Sequence, residues 1–186
     1  MPSVDLPYPE CALTDGRIGI RRSMESDLEC IREAGADTDI PRGTSVPGSF
    51  TPAEGIAFIH RQWSRAQDGV GVSQAIIDAQ SDRAIGLVYV SLRPQPCVGG
   101  LGYWIIPSAR GRGAATTAVR LITPWAFDAL RLHRVEAWVH PQNLASQHVL
   151  ASAGFEQEGR LRNFFCGEGG ASDALVFSAI PRPANV

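Results

Sequence analysis

The segment Tyr103–Ala118 reads Tyr-Trp-Ile-Ile-Pro-Ser-Ala-Arg-Gly-Arg-Gly-Ala-Ala-Thr-Thr-Ala, and it decides which fold the chain can adopt. An apolar strand pattern ends at Pro107, a short turn with Gly111 and Gly113 follows, and a helical pattern begins. Because glycine has no Cβ, the main chain of this turn lies open to a ligand. The first amides of a helix have no internal partners, and the helix dipole favours an anion beside them. The segment therefore predicts a phosphate-binding turn.

The composition of the chain is that of an ordinary globular protein. Its 186 residues are 44% hydrophobic and 19% charged, which suits a single domain over residues 1–186. A net charge of -2 does not favour a non-specific nucleic-acid partner. The sequence shows no signal-peptide pattern and no apolar run long enough to cross a membrane. The four cysteines include no Cys-x-x-Cys pair and the histidines no His-Glu-x-x-His pair, so we expect free thiols, no metal site and a cytoplasmic location.

Strand and helix patterns alternate irregularly along the rest of the chain. Residues 1–15 are rich in proline and are expected to be irregular. Strand patterns cover residues 17–21, 71–77, 84–92, 98–106, 134–139, 155–162 and 174–180. Helical patterns follow Ser23, Thr51, Gly113 and Asn143, and Pro124 is expected to kink or interrupt the third of them. Three consecutive strands predict an antiparallel meander and the later strand-helix-strand unit one parallel pair, which together indicate an α+β fold with a mixed sheet.

Three phosphate-binding patterns compete for the glycine turn. A P-loop needs a Gly-Lys-Ser/Thr ending, and no such lysine is present. A dinucleotide fingerprint needs a third glycine, where this chain has Thr116, and it normally opens a series of strand-helix-strand units. The pattern Arg/Gln-x-x-Gly-x-Gly/Ala fits Arg110–Ala115 at every fixed position. The third pattern is therefore preferred.

The sequence resembles the GNAT superfamily of acyl-CoA-dependent N-acetyltransferases, in particular the ribosomal-protein N-terminal (Rim-type) branch. The likeness covers residues 16–180 and rests on segments in the family's order. These segments are Ile18-Gly-Ile-Arg-Arg22, Gly102-Tyr-Trp104, Pro107–Gly113, Leu132–Glu136, Asn143–Ser146 and Val149–Glu156. The resemblance implies an αβα sandwich in which about four helices flank a mostly antiparallel sheet of about seven strands. It also implies that the sheet splays between its fourth and fifth strands, residues 98–106 and 134–139.

The resemblance further implies acetyl-CoA as cosubstrate, and a primary amine, either a protein N-terminus or a small molecule, as acceptor. The residues assigned to donor binding are Ile105, Ile106, Arg110, Gly111, Arg112, Gly113, Ala114, Ala115 and Asn143. Ser146 matches the residue that protonates the leaving CoA thiolate, with Asn143 orienting it. A homodimer is common among such relatives and is expected here.

The general base has no assigned residue. Many relatives carry a glutamate on the fourth strand, where this chain has Gly99-Gly-Leu101. The candidates elsewhere in the sequence are Tyr103, Glu136, His140, Glu168 and Asp173, and Glu136 is interpreted as structural. Asp37 and Asp39 either attract a cationic amine or are solvated loop charges. The missing carboxylate keeps a second hypothesis open, a catalytically silent module that binds or senses acyl-CoA.

Overall fold

A mixed sheet of eight strands forms the centre of the computed structural model, which describes residues 5–167 and 170–181. The strands are β1 (Leu13–Thr14), β2 (Ile18–Arg22), β3 (Gly71–Asp78), β4 (Ala84–Leu92), β5 (Val98–Ile105), β6 (Arg134–Val139), β7 (Glu156–Gly167) and β8 (Gly170–Ala179). Their order across the sheet is β1-β2-β3-β4-β5-β6-β8-β7. Every neighbouring pair is antiparallel except β5 and β6, which confirms the predicted meander and its single parallel pair.

Five α-helices pack on the sheet within the described residues. They are α1 (Leu28–Gly35), α2 (Ile40–Gly43), α3 (Pro52–Gln67), α4 (Ala114–Ala129) and α5 (Leu144–Ser152). A capping box starts α3: the Thr51 hydroxyl accepts from the Glu54 amide at 3.2 Å, and the Glu54 carboxylate accepts from the Thr51 amide at 3.1 Å. No helix in the described residues is both long enough and apolar enough to cross a membrane.

The structure differs from the sequence prediction at three places. Residues 1–15 were expected to be irregular, but Leu13–Thr14 pairs with β2 and adds an eighth strand. The segment between the helical patterns that follow Ser23 and Thr51 contains an additional helix, α2, because the Asp37 carboxylate accepts from the amides of Asp39 and Ile40 and fixes a helical start. Of the two effects predicted for Pro124, a kink or an interruption, the interruption does not occur, because the buried apolar face of α4 outweighs the ~3 kcal/mol cost of an internal proline.

The sheet opens between β5 and β6, which confirms the predicted splay. β5 pairs with β4 over its length, but with β6 only from Val98 to Gly100. The Val98 carbonyl accepts from the Arg93 amide, and the Ile106 amide donates to the Ile85 carbonyl. Because main-chain groups alternate in direction along a strand, those of the even-numbered residues of β5 point towards β4. The main-chain groups of the odd-numbered residues 101, 103 and 105 therefore face the opening.

The side chains of β5 point alternately to two faces of the sheet. Tyr103 contacts α5 on one side, which we call the Tyr103 face. The other side, the Gly100 face, is covered in part by α3, whose Arg65 donates to Ser91, the residue directly opposite Gly100 on β4. The opening between β5 and β6 connects the two faces.

Candidate active site

The glycine turn before α4 presents a run of free amides. Gly111 and Gly113 have φ angles of 75° and 79°, a region that side chains with a Cβ rarely adopt. The first amide of the helix with a protein acceptor is that of Thr117, which donates to the Gly113 carbonyl at 3.0 Å. Within the described residues no group accepts from the amides of residues 111–116, which include Ala114 and Ala115. This arrangement can bind a phosphate oxyanion through the main chain alone.

The two arginines of the turn have different surroundings. The Arg110 guanidinium donates from Nε to the Ile105 carbonyl at 3.0 Å and pairs through Nη2 with the Asp37 carboxylate at 2.9 Å. Arg112 is exposed and has no carboxylate within 4 Å among the described residues. Arg110 therefore fixes the turn to the loop before α2, whereas Arg112 remains available to a ligand.

Asp37 is committed to this contact rather than free for an amine. Burial favours its neutral form, but hydrogen bonds from the Ile40 and Asp39 amides and the nearby Arg110 charge outweigh burial and lower the pKa of the carboxyl. Its side chain is only 8% exposed. Asp39, by contrast, is exposed on the same loop.

The two isoleucines assigned to donor binding contribute unequally to the opening. The Ile105 carbonyl is occupied by Arg110, so its amide is the main-chain group that faces the opening. The Ile106 amide donates to the Ile85 carbonyl at 3.0 Å and so faces β4. The structure therefore places Ile105, but not the Ile106 amide, beside the opening.

Tyr103, Ser146 and Asn143 form a connected group at the edge of the opening. The Tyr103 hydroxyl lies 2.8 Å from the Ser146 hydroxyl, and the Asn143 side chain accepts from the Ser146 amide at 3.0 Å as the N-cap of α5. Burial raises the pKa of Tyr103 to about 12, against the opposing effect of the Ser146 hydrogen bond. Tyr103 is therefore a proton donor at neutral pH and unsuited to the role of base.

The carboxylate and imidazole candidates for the base are engaged elsewhere. Glu136 lies between Arg134 at 3.1 Å and Arg93 at 3.6 Å, as an ion-paired structural residue would. Hydrogen bonds from the Asn163 amide and Arg160 lower the pKa of Asp173. His140 stacks on Phe165, with its Nδ1 3.3 Å from the Ser172 hydroxyl. Glu168, the remaining candidate, lies outside the described residues.

At the Gly99-Gly-Leu101 segment, the space above Gly100 is occupied by the guanidinium of Arg93. A Cβ added to Gly99 would lie 2.6 Å from Leu132, and one added to Gly100 would lie 2.6 Å from the guanidinium of Arg93. The sequence prediction missed Arg93, which covers Gly100, and Arg65, which donates to Ser91, the residue paired with Gly100 on β4. The strand patterns ending at residue 92 and beginning at residue 98 do predict a hairpin that brings Arg93 near the start of β5. They do not predict the register of the two strands, which decides that Arg93 covers Gly100.

The open sheet with a free-amide turn beside it is the arrangement of a GNAT-type acetyltransferase. The acetyltransferase (GNAT) domain family matches residues 17–156, and the chain belongs to this family. Among the described residues, no group of three histidine, cysteine or acidic side chains is placed to hold a metal ion.

Similar proteins agree with this family. The chain is 43% identical to Probable N-acetyltransferase YjcK of Bacillus subtilis over 89 residues, or 47% of this chain and 49% of YjcK, so the match spans about half of that relative. It is 25% identical over 169 residues to Uncharacterized N-acetyltransferase YoaA of the same organism, covering 90% of this chain and 96% of YoaA. Mycobacterium smegmatis RimJ, solved in complex with CoA-disulfide, has the same fold, with a TM-score of 0.76, 24% identity, and coverage of 88% of this chain and 81% of RimJ.

Proposed function

We propose that this chain transfers the acetyl group of acetyl-CoA to a primary amine, of a protein N-terminus or a small molecule, by direct attack in a ternary complex. The observation that carries the proposal is the run of unpartnered amides at residues 111–116 beside the opening between β5 and β6. The family and the CoA in the RimJ structure support the same donor.

The donor lies with its pyrophosphate on the glycine turn. The amides of residues 111–116 donate to the phosphate oxygens, Arg112 adds positive charge, and Arg110 holds the turn in place through Asp37. The pantetheine arm follows the opening, where the main-chain groups of residues 101 and 103 and the Ile105 amide face it. An amide of this strand donates to the thioester carbonyl and stabilises the oxyanion that forms during attack.

The leaving thiolate receives its proton through Ser146. As the carbon–sulfur bond breaks, the Ser146 hydroxyl donates to the sulfur, and the Tyr103 hydroxyl, 2.8 Å away, donates to Ser146 in turn. The proton that the attacking amine releases to water replaces the one lost by Tyr103, so the net transfer runs from the amine to the thiolate. The raised pKa of Tyr103, about 12, keeps that hydroxyl protonated in the ground state. Asn143 orients the turn that carries Ser146.

The acceptor amine enters in its neutral form without a dedicated carboxylate base. An α-amine has a pKa of about 7.7–8.0, so a substantial fraction is neutral near physiological pH. Its proton leaves through water after the attack. An unperturbed lysine-like amine, with a pKa of about 10.4, is correspondingly less reactive at that pH.

The competing proposal is a silent acyl-CoA-binding module, which the cation over Gly100 in place of a carboxylate favours. Titration calorimetry with acetyl-CoA and thiol release with an amine panel separate the two. Binding together with amine-dependent release supports transfer. Binding without release from any amine supports the silent module, and absence of acetyl-CoA binding contradicts both.

The remaining features of the proposal concern location and assembly. We propose a cytoplasmic protein, supported by the absence of a disulfide among its four cysteines. We also propose a homodimer that uses the edge strand β7, which is exposed along almost its whole length. Light scattering at several concentrations tests the assembly, and a monomer throughout contradicts it.

A further inference from the structure

Arg93 covers Gly100, and Arg65 contacts the residue paired with Gly100 on β4, on the face of the sheet opposite Tyr103 and Ser146. Arg93 lies just beyond the end of β4, and its guanidinium covers Gly100 so closely that an added Cβ would lie 2.6 Å from Cζ. Arg65 reaches from α3 and donates to the Ser91 hydroxyl at 2.8 Å. Because Ser91 is the residue opposite Gly100 on β4, the two cations flank the same point of the sheet.

The Arg93 guanidinium has hydrogen-bond donors that the chain does not use. Within the described residues its side chain makes no hydrogen bond, and its nearest carboxylate oxygen, on Glu136, lies 3.6 Å from Nε, beyond hydrogen-bond distance. The group is held instead by Trp138, whose ring centroid is 3.6 Å from Cζ. The Arg93 side chain is only 24% exposed. Of its nitrogens, Nε is buried and has no hydrogen-bond partner among the described residues, and a buried unpaired donor costs stability. The other guanidinium nitrogens are open to solvent or to a ligand.

Among the described residues, the arginines close to Gly100 outnumber the carboxylates that pair with them. Arg134 binds both nearby carboxylates, at 3.1 Å from Glu136 and 2.6 Å from Glu158. Arg93 shares Glu136 at the longer distance, and Arg65 has no carboxylate within 4 Å among the described residues. Three guanidinium groups therefore stand against two carboxylates, and the excess lies at Arg65 and Arg93.

We propose that Arg65 and Arg93 bind a carboxylate or phosphate of the acceptor, so that the preferred acceptors are amines that carry an oxyanion close to the amine. This inference rests on the proposed function. The donor turn and Ser146 lie on the Tyr103 side, so the acceptor enters from the Gly100 face. The opening begins directly after the pair Gly100–Glu136, which places the arginines beside the reacting atoms. A planar guanidinium fits the two oxygens of such an anion.

Gly100 is part of this arrangement. Any side chain there would stand where the guanidinium of Arg93 now lies, and the guanidinium is the mobile end of a long chain, so it would move aside rather than unfold the sheet. Arg93 can cover this point of the sheet only because residue 100 has no side chain, so the lack of a carboxylate there and the presence of the guanidinium have the same cause. The same position that lacks a base gains an anion-binding group.

Matched acceptor pairs test the proposal directly. The pairs are β-alanine with β-alaninamide, for a carboxylate, and O-phosphoethanolamine with ethanolamine, for a phosphate. With rates expressed per neutral amine, we expect kcat/KM to be about tenfold or more higher for the anionic member of at least one pair, as a charged hydrogen-bond pair provides. The pair that shows it identifies the anion. Equal or lower values for the anionic members of both pairs would overturn the proposal.

Variants test the two arginines against a matched control. Arg93→Gln and Arg65→Gln should remove the preference, mainly by raising KM for the anionic acceptor, and Gly100→Ala should do so without changing any charge. Arg93→Lys should restore part of the preference. Arg17→Gln removes an exposed charge at the turn between β1 and β2, and it should leave the preference unchanged. An equal loss for both members of a pair in the Arg93 variants, or a loss of preference in the control, contradicts the assignment.

A binding measurement separates failure of this inference from failure of the proposed function. Calorimetry with O-phosphoethanolamine and β-alanine on the wild-type protein and on Arg93→Gln needs no turnover. Binding that Arg93→Gln loses, in a protein that acetylates no amine, supports the anion site and contradicts transfer. Turnover of neutral and anionic amines at equal efficiency, with no such binding, supports transfer and contradicts the anion site.

Discussion

The two faces of β5 offer different kinds of groups for recognition. On the Tyr103 side, the proposed donor site consists largely of main-chain groups, the free amides of residues 111–116 and those along the opening. On the Gly100 face, side chains from separate elements converge: Arg65 from α3, Arg93 from the end of β4 and Trp138 from β6. A main-chain site depends on the conformation of one short segment, whereas a side-chain site depends on the register of several. We therefore expect substitutions of the turn glycines to disable the donor side, and substitutions of Arg65 and Arg93 to alter only the acceptor side.

The largest effect is expected from Gly113→Val. Valine at a φ of 79° is strained, so the turn that presents the free amides would have to change its conformation. Loss of two charge-assisted hydrogen bonds predicts a fall in acetyl-CoA affinity of ~100-fold or more. Titration calorimetry measures it. Gly159→Val on β7 is the control, because an added Cβ there also meets nothing; wild-type affinity in Gly113→Val would contradict the main-chain site.

A smaller loss is expected from the pair Tyr103 and Ser146. Ser146→Ala should lower kcat by about 100-fold, within the range of general acid catalysis, with acetyl-CoA affinity little changed. Tyr103→Phe should lower kcat by less, and the double variant should be no slower than Ser146→Ala, because the two hydroxyls act in series. Ser152→Ala in the same helix is the control. Pre-steady-state thiol release measures the step, and equal kcat in wild type and Ser146→Ala would remove Ser146 from the mechanism.

The pH dependence of the rate tests whether a base is present. Tyr103 has its pKa raised to about 12, so the proton donor stays intact throughout the neutral and moderately alkaline range. Without a carboxylate base, kcat/KM should rise with pH up to the pKa of the free acceptor amine, and the profile should move when an acceptor of different pKa is used. If kcat/KM instead levels off at the same pH for two acceptors of different pKa, the titrating group belongs to the protein, and a base is present.

The smallest effect is expected from Asp37→Asn. The change removes the charge that holds Arg110, while Arg110 keeps its bond to the Ile105 carbonyl. We expect a rise of a few fold in KM for acetyl-CoA, about the effect of one partly exposed ion pair. Asp39→Asn on the same loop is the control, since Asp39 is exposed. Steady-state kinetics measures KM for acetyl-CoA in both variants. A rise in KM for Asp37→Asn as large as the loss of affinity in Gly113→Val would mean that the loop itself binds the donor.

The sequence allowed prediction of features that are local in the chain. The glycine turn, the strand before it and the N-cap at Asn143 each depend on a few consecutive residues, and the structure shows them as expected. The Arg93–Gly100 contact depends on the register of a hairpin, and Arg65 reaches it from a helix far away in sequence. Leu13–Thr14 became a strand through pairing with β2, which two residues cannot reveal by pattern. Pro124 does not interrupt α4, because burial of the apolar face of that helix outweighs local propensity.

Amine-dependent release of CoA from acetyl-CoA, with the acetylated amine identified by mass, tests the central claim most directly. The account predicts release that requires both the protein and an amine, with a product heavier by one acetyl group. Release should fall strongly in Ser146→Ala. Tight binding of acetyl-CoA with no release from any amine of the panel would contradict the account and leave an acyl-CoA-binding module in its place.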